Sequence, residues 1–240
     1  MKSTCFISLG PTCVPAEILK AARLRKCTLG FDWCRSGAHH ISEFLRLPLA
    51  EFLAVHVYRP NIPLCQKENP ESLTLNTAEP VILKPVYGFS YLFNPHRDIR
   101  EDSTLKYHER SFRRLELAIR DDEVRKIFII ADYENKESAT FLESPLIIAK
   151  YIEKEIESLG VRRYSLAIIR FYLDEAQCRN NSLEIEQERL SDTSVLHRVK
   201  INSLLDEPYL RSKMYRLAAK QIFPIALRHG NLWSPPKRLD

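Results

Sequence analysis

No apolar run in the 240 residues approaches the roughly 20 needed to cross a bilayer as a helix, so no membrane span is expected. An excess of one charge is missing too. Lys and Arg total 36 against 31 Asp and Glu, a net charge of +5, and the basic residues are interleaved with acidic ones. That pattern describes a solvated surface and excludes the clustered basic footprint of a nucleic-acid binder. The six cysteines, Cys5, Cys13, Cys27, Cys34, Cys65 and Cys178, lack the rhythm of a disulfide scaffold. This points to a reducing compartment. The opening Met1-Lys2-Ser3-Thr4 leads into strand-like residues rather than a signal-peptide core, and a cytoplasmic location is the expectation. Internal repeats and low-complexity blocks are also missing. What remains is an ordinary globular composition, 45% apolar and 28% charged, long enough for a sizeable core. One domain over residues 1–240 is expected.

The organising stretch is Thr4 to Leu19. Apolar or β-tolerant residues end at Gly10, Pro11-Thr12 follows, and Cys13 stands just before Pro15, a residue suited to the first turn of a helix. The order strand, tight turn, cysteine, helix directs the helix's unpaired N–H groups and positive end toward the Cys13 sulfur, which favours a thiolate. Cys13 is therefore the candidate nucleophile. The opposing reading is a buried, inert cysteine at the end of a core strand.

Beyond it, Pro15 to about Arg25 has helical apolar spacing. Phe31-Asp32-Trp33 places an acid between two large aromatics, and a carboxylate so flanked needs a partner. Either Asp32 caps a helix or pairs with an arginine, or it serves the site. Cys27, Cys34, His39 and His40 are ligand types without the paired spacing of a closed zinc site, so no metal is expected. Residues 41–57 are helical on both sides of Pro48, which should end or kink the first segment. Residues 58–80 carry Pro60, Pro63, Pro70 and Pro80 and suit a long loop or lid. A strand is expected at 81–83 or 86–93, followed by Asn94-Pro95-His96-Arg97-Asp98. His96 is thereby placed at a strand end, where functional loops gather.

A helix from about Ser103 to Asp121 carries His108 on its apolar stripe, as a core histidine would be. Lys126 to Ala131 is a continuous apolar run ending at Asp132, as buried parallel strands are. Ser144-Pro145 opens a helix closing at Gly160, and Tyr164–Phe171 completes a strand-helix-strand unit, which is nearly always right-handed and parallel. Leu183–Glu186 and Val195–Ile201 alternate like half-exposed strands. Residues from about 205 to 240 suit a closing helix, interrupted near Pro224, and a tail.

Three pieces occur in order: Ser8-Leu9-Gly10-Pro11-Thr12-Cys13, Phe31-Asp32-Trp33, and Asn94-Pro95-His96 followed by Lys106-Tyr107 and Arg113-Arg114. Together they resemble a bacterial domain of unknown function described as papain-like cysteine peptidases, over roughly residues 4–175. The resemblance implies Cys13 as nucleophile with His96 as its base. Thr12 stands where that family usually has an Asn-type residue, and Arg97 separates His96 from Asp98.

In such chemistry a thiolate attacks an acyl carbon, a histidine relays the proton, a third polar group orients the imidazole, and N–H groups receive the oxyanion. Asp32, Asp98 and Asp132 are the candidates for the third group. Thr12, Val14, Trp33 and Arg97 are the candidates for oxyanion or substrate binding. Cys13 and His96 are expected within hydrogen-bonding reach, or one short side-chain rotation of it.

Because the cysteine follows a strand, a three-layer α/β sandwich with a mostly parallel sheet is expected, the alternative being an α+β papain-like fold. The leading function is a thiol-dependent hydrolase of a peptide, or of an acylated small molecule or glycan, needing no cofactor. The residues also resemble a capsule acetyltransferase family, which implies a coenzyme A-dependent acyltransferase with Lys106, Arg110, Arg113 and Arg114 holding donor phosphates. A non-catalytic binding or scaffold protein with a structural Cys13 is the third reading. Oligomeric state has no signature in the sequence.

Overall fold

The structure is a computed structural model that describes residues 3–34, 36, 38–56, 102–133, 144–173, 182–202, 208–224 and 232–235. The expected loop at 58–80, the strand at 81–83 or 86–93, and His96, Arg97 and Asp98 lie outside the described residues.

Five strands form one sheet: β1 (Thr4–Pro11), β2 (Arg125–Tyr133), β3 (Tyr164–Leu173), β4 (Ser182–Arg189) and β5 (Ser194–Asn202). Their spatial order is β1-β2-β3-β5-β4. The first four in that order are parallel, and β4 pairs antiparallel with β5 at the edge. Six helices accompany them among the described residues: α1 (Val14–Ala21), α2 (Ala38–Arg46), α3 (Leu49–His56), α4 (Asp102–Arg120), α5 (Pro145–Ser158) and α6 (Pro208–Ile222).

Side chains alternate between the two faces of each strand, and both faces are covered. Ile7, Leu9, Phe128, Ile130 and Ile168 pack against α2, α3, α4 and α5, through residues such as Phe44, Phe52, Phe112 and Ile152. Ile127, Ile129, Ala131, Ile169 and Phe171 pack against α1 and α6, through Ile18, Leu19, Met214, Tyr215 and Ala218. Helix layers on either side of a mostly parallel sheet make the three-layer α/β arrangement, and they explain why β2 reads as an unbroken apolar run.

Several boundaries have local causes. Helix α1 ends before Arg25 because Arg23 takes a left-handed φ of 58°, and Leu24 N–H returns to Leu19 O at 2.9 Å. Pro48 divides α2 from α3, and its carbonyl accepts from Glu51 N and Phe52 N, both at 3.0 Å. Helix α5 starts on an N-cap, Ser144, whose side chain accepts from Ile147 N–H, with Pro145 in the first turn. Two ties close the sheet's flanks. Glu153 of α5 accepts hydrogen bonds from the hydroxyls of Ser191, Thr193 and Ser194 in the β4–β5 turn. Leu232 bridges Thr4, and Trp233 N–H donates to Thr4 O at 3.0 Å, which covers part of the outer edge of β1.

Candidate active site

Strand β1 delivers Cys13 through a constrained turn. Gly10 has φ +85°, and a Cβ built there would lie 2.1 Å from Ser36 Oγ, so both backbone and space require glycine. Ser36 Oγ donates to Leu9 O at 3.3 Å, which holds Ser36 over the strand end. Cys13 is the N-cap residue of α1, in a right-handed conformation (φ −74°, ψ −7°), with Pro15 in the first turn. Pro11 is in register with Ala131, so Cys13 lies just past the carboxyl end of β1, level with the last residue of β2. That edge is where open α/β sheets bind ligands.

Cys13 is half-buried, whereas Cys5 and Cys34 are buried. Burial is the main cause that pushes both buried thiols far above the usual cysteine range. Cys13 Sγ donates to Glu17 Oε1 at 3.8 Å, one helical turn on. The Val14 N–H donates to Thr12 Oγ1 at 3.3 Å. Two residues expected to serve an oxyanion are therefore bonded to each other, and Pro15, next in the helix, has no N–H.

The end of β2 adds the next groups. Asp132 is buried, and its Oδ1 accepts the Tyr133 N–H at 2.9 Å. It is in register with Arg170 on β3, also buried. Tyr133 takes the opposite face, packing with the α1 and α6 cluster. Its ring is tilted against Phe171 at 5.5 Å, and its hydroxyl is hydrogen-bonded to that of Tyr215 on α6. Burial pushes the Tyr133 phenol up to about 12; the Tyr215 hydrogen bond and Arg211 oppose this, and the fields of Glu17 and Cys13 add to it. Cys13, Glu17, Tyr133, Tyr215 and Arg211 therefore form one electrostatic neighbourhood. Only the first of them was singled out by sequence. Glu17 was in principle visible, one turn after Cys13. The tyrosine pair joins residues 82 apart and had no local signal.

Asp32 and Trp33 form a separate group. Asp32 Oδ2 accepts from Arg25 Nη1 at 2.8 Å and from Leu29 N–H at 3.0 Å. The Arg25 guanidinium lies over the Trp33 ring, 5.2 Å from its centroid. Burial pushes the Asp32 carboxyl up to about 6, against the opposing pull of Arg25 and the Leu29 amide. Its field reaches Cys5, near the start of β1. From Cys5 to Pro11 the extended strand runs on the order of 20 Å. The arginine-pairing role weighed for Asp32 is the one this arrangement displays.

His108 is buried on α4, with Cys34 Sγ 3.9 Å from its Nδ1, as a core histidine would be. Lys106, Arg110 and Arg113 are exposed along α4, which packs on the sheet face opposite α1. Among the described residues no group of three or more His, Cys, Asp or Glu could hold a metal ion. Among the same residues no helix is long and apolar enough to cross a membrane.

Residues 4–157 match a family described as "Putative papain-like cysteine peptidase", a domain of unknown function. No curated protein and no solved structure matches the chain.

Proposed function

Since the chain belongs to the papain-like cysteine peptidase family that its residues 4–157 match, we propose that it is a thiol-dependent acyl hydrolase with Cys13 as nucleophile. The observation that supports this best is the position of Cys13. It is a half-buried thiol at a helix N-cap, just past the carboxyl end of a parallel strand, while Cys5 and Cys34 are sealed in the core. In this reading His96 takes the Cys13 thiol proton as the sulfur attacks the carbonyl carbon of a peptide or other acyl substrate, and the carbonyl π pair moves onto oxygen. Collapse of the tetrahedral intermediate expels the leaving group, which takes a proton from His96, and water then hydrolyses the thioester. Asp98 or Asp132 orients His96. Asp32 is given no catalytic role in this reading, because its carboxylate is already engaged by Arg25 and Leu29.

The test is iodoacetamide labelling of the native protein, mapped by mass spectrometry to each cysteine. Cys13 should label at least about tenfold faster than half-buried Cys27, and His96→Ala should slow Cys13 by a similar factor. Cys13→Ser should remove the fast phase. Labelling of Cys13 no faster than Cys27, and indifferent to His96, would leave a structural cysteine and overturn the reading.

A further inference from the structure

Two hydroxyls in one hydrogen bond share two protons, and one bond uses one of them. The direction of the Tyr133–Tyr215 bond therefore decides where the second proton points. Tyr215 is 1% exposed, and among the described residues its hydroxyl's hydrogen-bond partner is Tyr133. If Tyr133 donated to it, the Tyr215 proton would be buried without an acceptor among the described residues, which is unfavourable. If Tyr215 donates instead, its proton has an acceptor, and the proton of half-buried Tyr133 is left over from this bond.

The free proton emerges at the right place. Tyr133 is two residues beyond Ala131, Cys13 is two residues beyond Pro11, and Ala131 and Pro11 are register partners on adjacent parallel strands. Neighbouring strands lie about 4.8 Å apart. Residues 13 and 133 thus leave the sheet side by side, α1 and Tyr133 share one face, and Cys13 and Glu17 both contribute to the field at the phenol. The first two helical positions offer no free backbone donor there. The Val14 N–H is already given to Thr12 Oγ1, and Pro15 has none.

We propose that the Tyr133 hydroxyl donates a hydrogen bond to the oxyanion formed when Cys13 attacks an acyl carbon, and that Tyr215 is the positioning residue that fixes the direction of this donor. The proposal rests on the acyl-hydrolase reading. Tyr133 keeps its proton throughout. Negative charge develops on the former carbonyl oxygen, is met by the phenol O–H, and returns to the carbonyl when the leaving group departs.

The experiment compares two reactions of the same thiol. Acylation by p-nitrophenyl acetate, followed by stopped-flow release of nitrophenolate, passes through an oxyanion; alkylation by iodoacetamide does not. Tyr133→Phe should slow acylation by about 100-fold, and leave Cys13 alkylation within about twofold of the parent. Tyr215→Phe should slow acylation by roughly tenfold, with no further effect when Tyr133 is already Phe. The Tyr133→Phe/Tyr215→Phe double variant removes both hydroxyls of the bond, so it should recover the thermal stability lost by Tyr133→Phe without recovering the acylation rate. Should Tyr133→Phe not fold, Tyr215→Phe carries the test by the same pair of rates. Parent-like acylation in Tyr133→Phe, or equal slowing of acylation and alkylation, overturns the proposal while leaving Cys13 as nucleophile. Nitrophenolate release that survives Cys13→Ser overturns the hydrolase reading, and the proposal with it.

Discussion

A carboxylate with no solvent contact is stable only as part of a set, and Asp32 shows what such a set looks like at the scale of one residue. One oxygen takes both the Arg25 guanidinium and the Leu29 amide, and Trp33 holds the guanidinium from its other side. Removing the acid would leave a largely buried cation facing an apolar wall. Breaking a buried pair from one side typically costs 3–5 kcal/mol, and Arg25 retains some water contact. Asp32→Ala should therefore lose about 3 kcal/mol of stability, read as a lower urea midpoint at unchanged slope. Below that midpoint, its Cys13 should alkylate at the parent rate. The reverse pattern, parent-like stability with slow alkylation, would return Asp32 to the active site.

At the scale of elements, the strand-turn-helix of β1 and α1 depends on one glycine. Alanine at position 10 would meet both a left-handed backbone, φ +85°, and the Ser36 hydroxyl 2.1 Å away. Gly10→Ala should cost roughly 2–4 kcal/mol and slow Cys13 alkylation by displacing the turn. Ser36 Cβ would be 3.4 Å from the new Cβ, an ordinary contact. Adding Ser36→Ala should thus recover the steric share and leave the backbone share, a non-additivity that thermal melts of the four proteins would read. If Gly10→Ala melts with the parent, the turn is softer than this geometry implies. Elements such as this were legible because their signals are local: Gly10 and Pro15 around Cys13, Pro48 between two helices, Pro145 opening α5, the apolar runs of β2 and β3. The parallel arrangement of β2 and β3 was legible for the same reason. The insertion of β5 between β3 and an antiparallel β4 was not, since alternation in Val195–Ile201 says that a strand is half-exposed but not which strand it joins. Aromatic flanks showed that Asp32 would be buried, but not which groups would hold it. Tyr133, Tyr215 and Arg211 reach the site only through the packing of α6 on α1 and β2.

The stability of the whole chain adds up titrations that never meet in space. Burial in β5 lowers the His197 pKa from 6.5 to about 4. Between those values the unfolded chain binds a proton that the folded chain refuses, so stability rises with pH across that window. Burial raises the Asp32 pKa from 3.8 to about 6, despite Arg25 and Leu29. There the folded chain keeps a proton that the unfolded chain has released, so stability falls as pH rises. The windows overlap, the slopes oppose, and each is worth up to about 3 kcal/mol over its full span. Stability of the parent should therefore change little between about pH 4 and pH 6 on account of these two groups. Each variant that removes one of them should uncover the other. Relative to the parent, His197→Gln should gain stability as pH falls through the window, and Asp32→Asn should gain it as pH rises. Every other carboxylate is common to all three proteins and cancels in the differences. Urea midpoints at several values from about pH 4 to pH 7 read these differences directly. A His197→Gln curve parallel to the parent's would mean that His197 titrates in the folded chain as it does in water, and that the β5 interior does not exclude its charge.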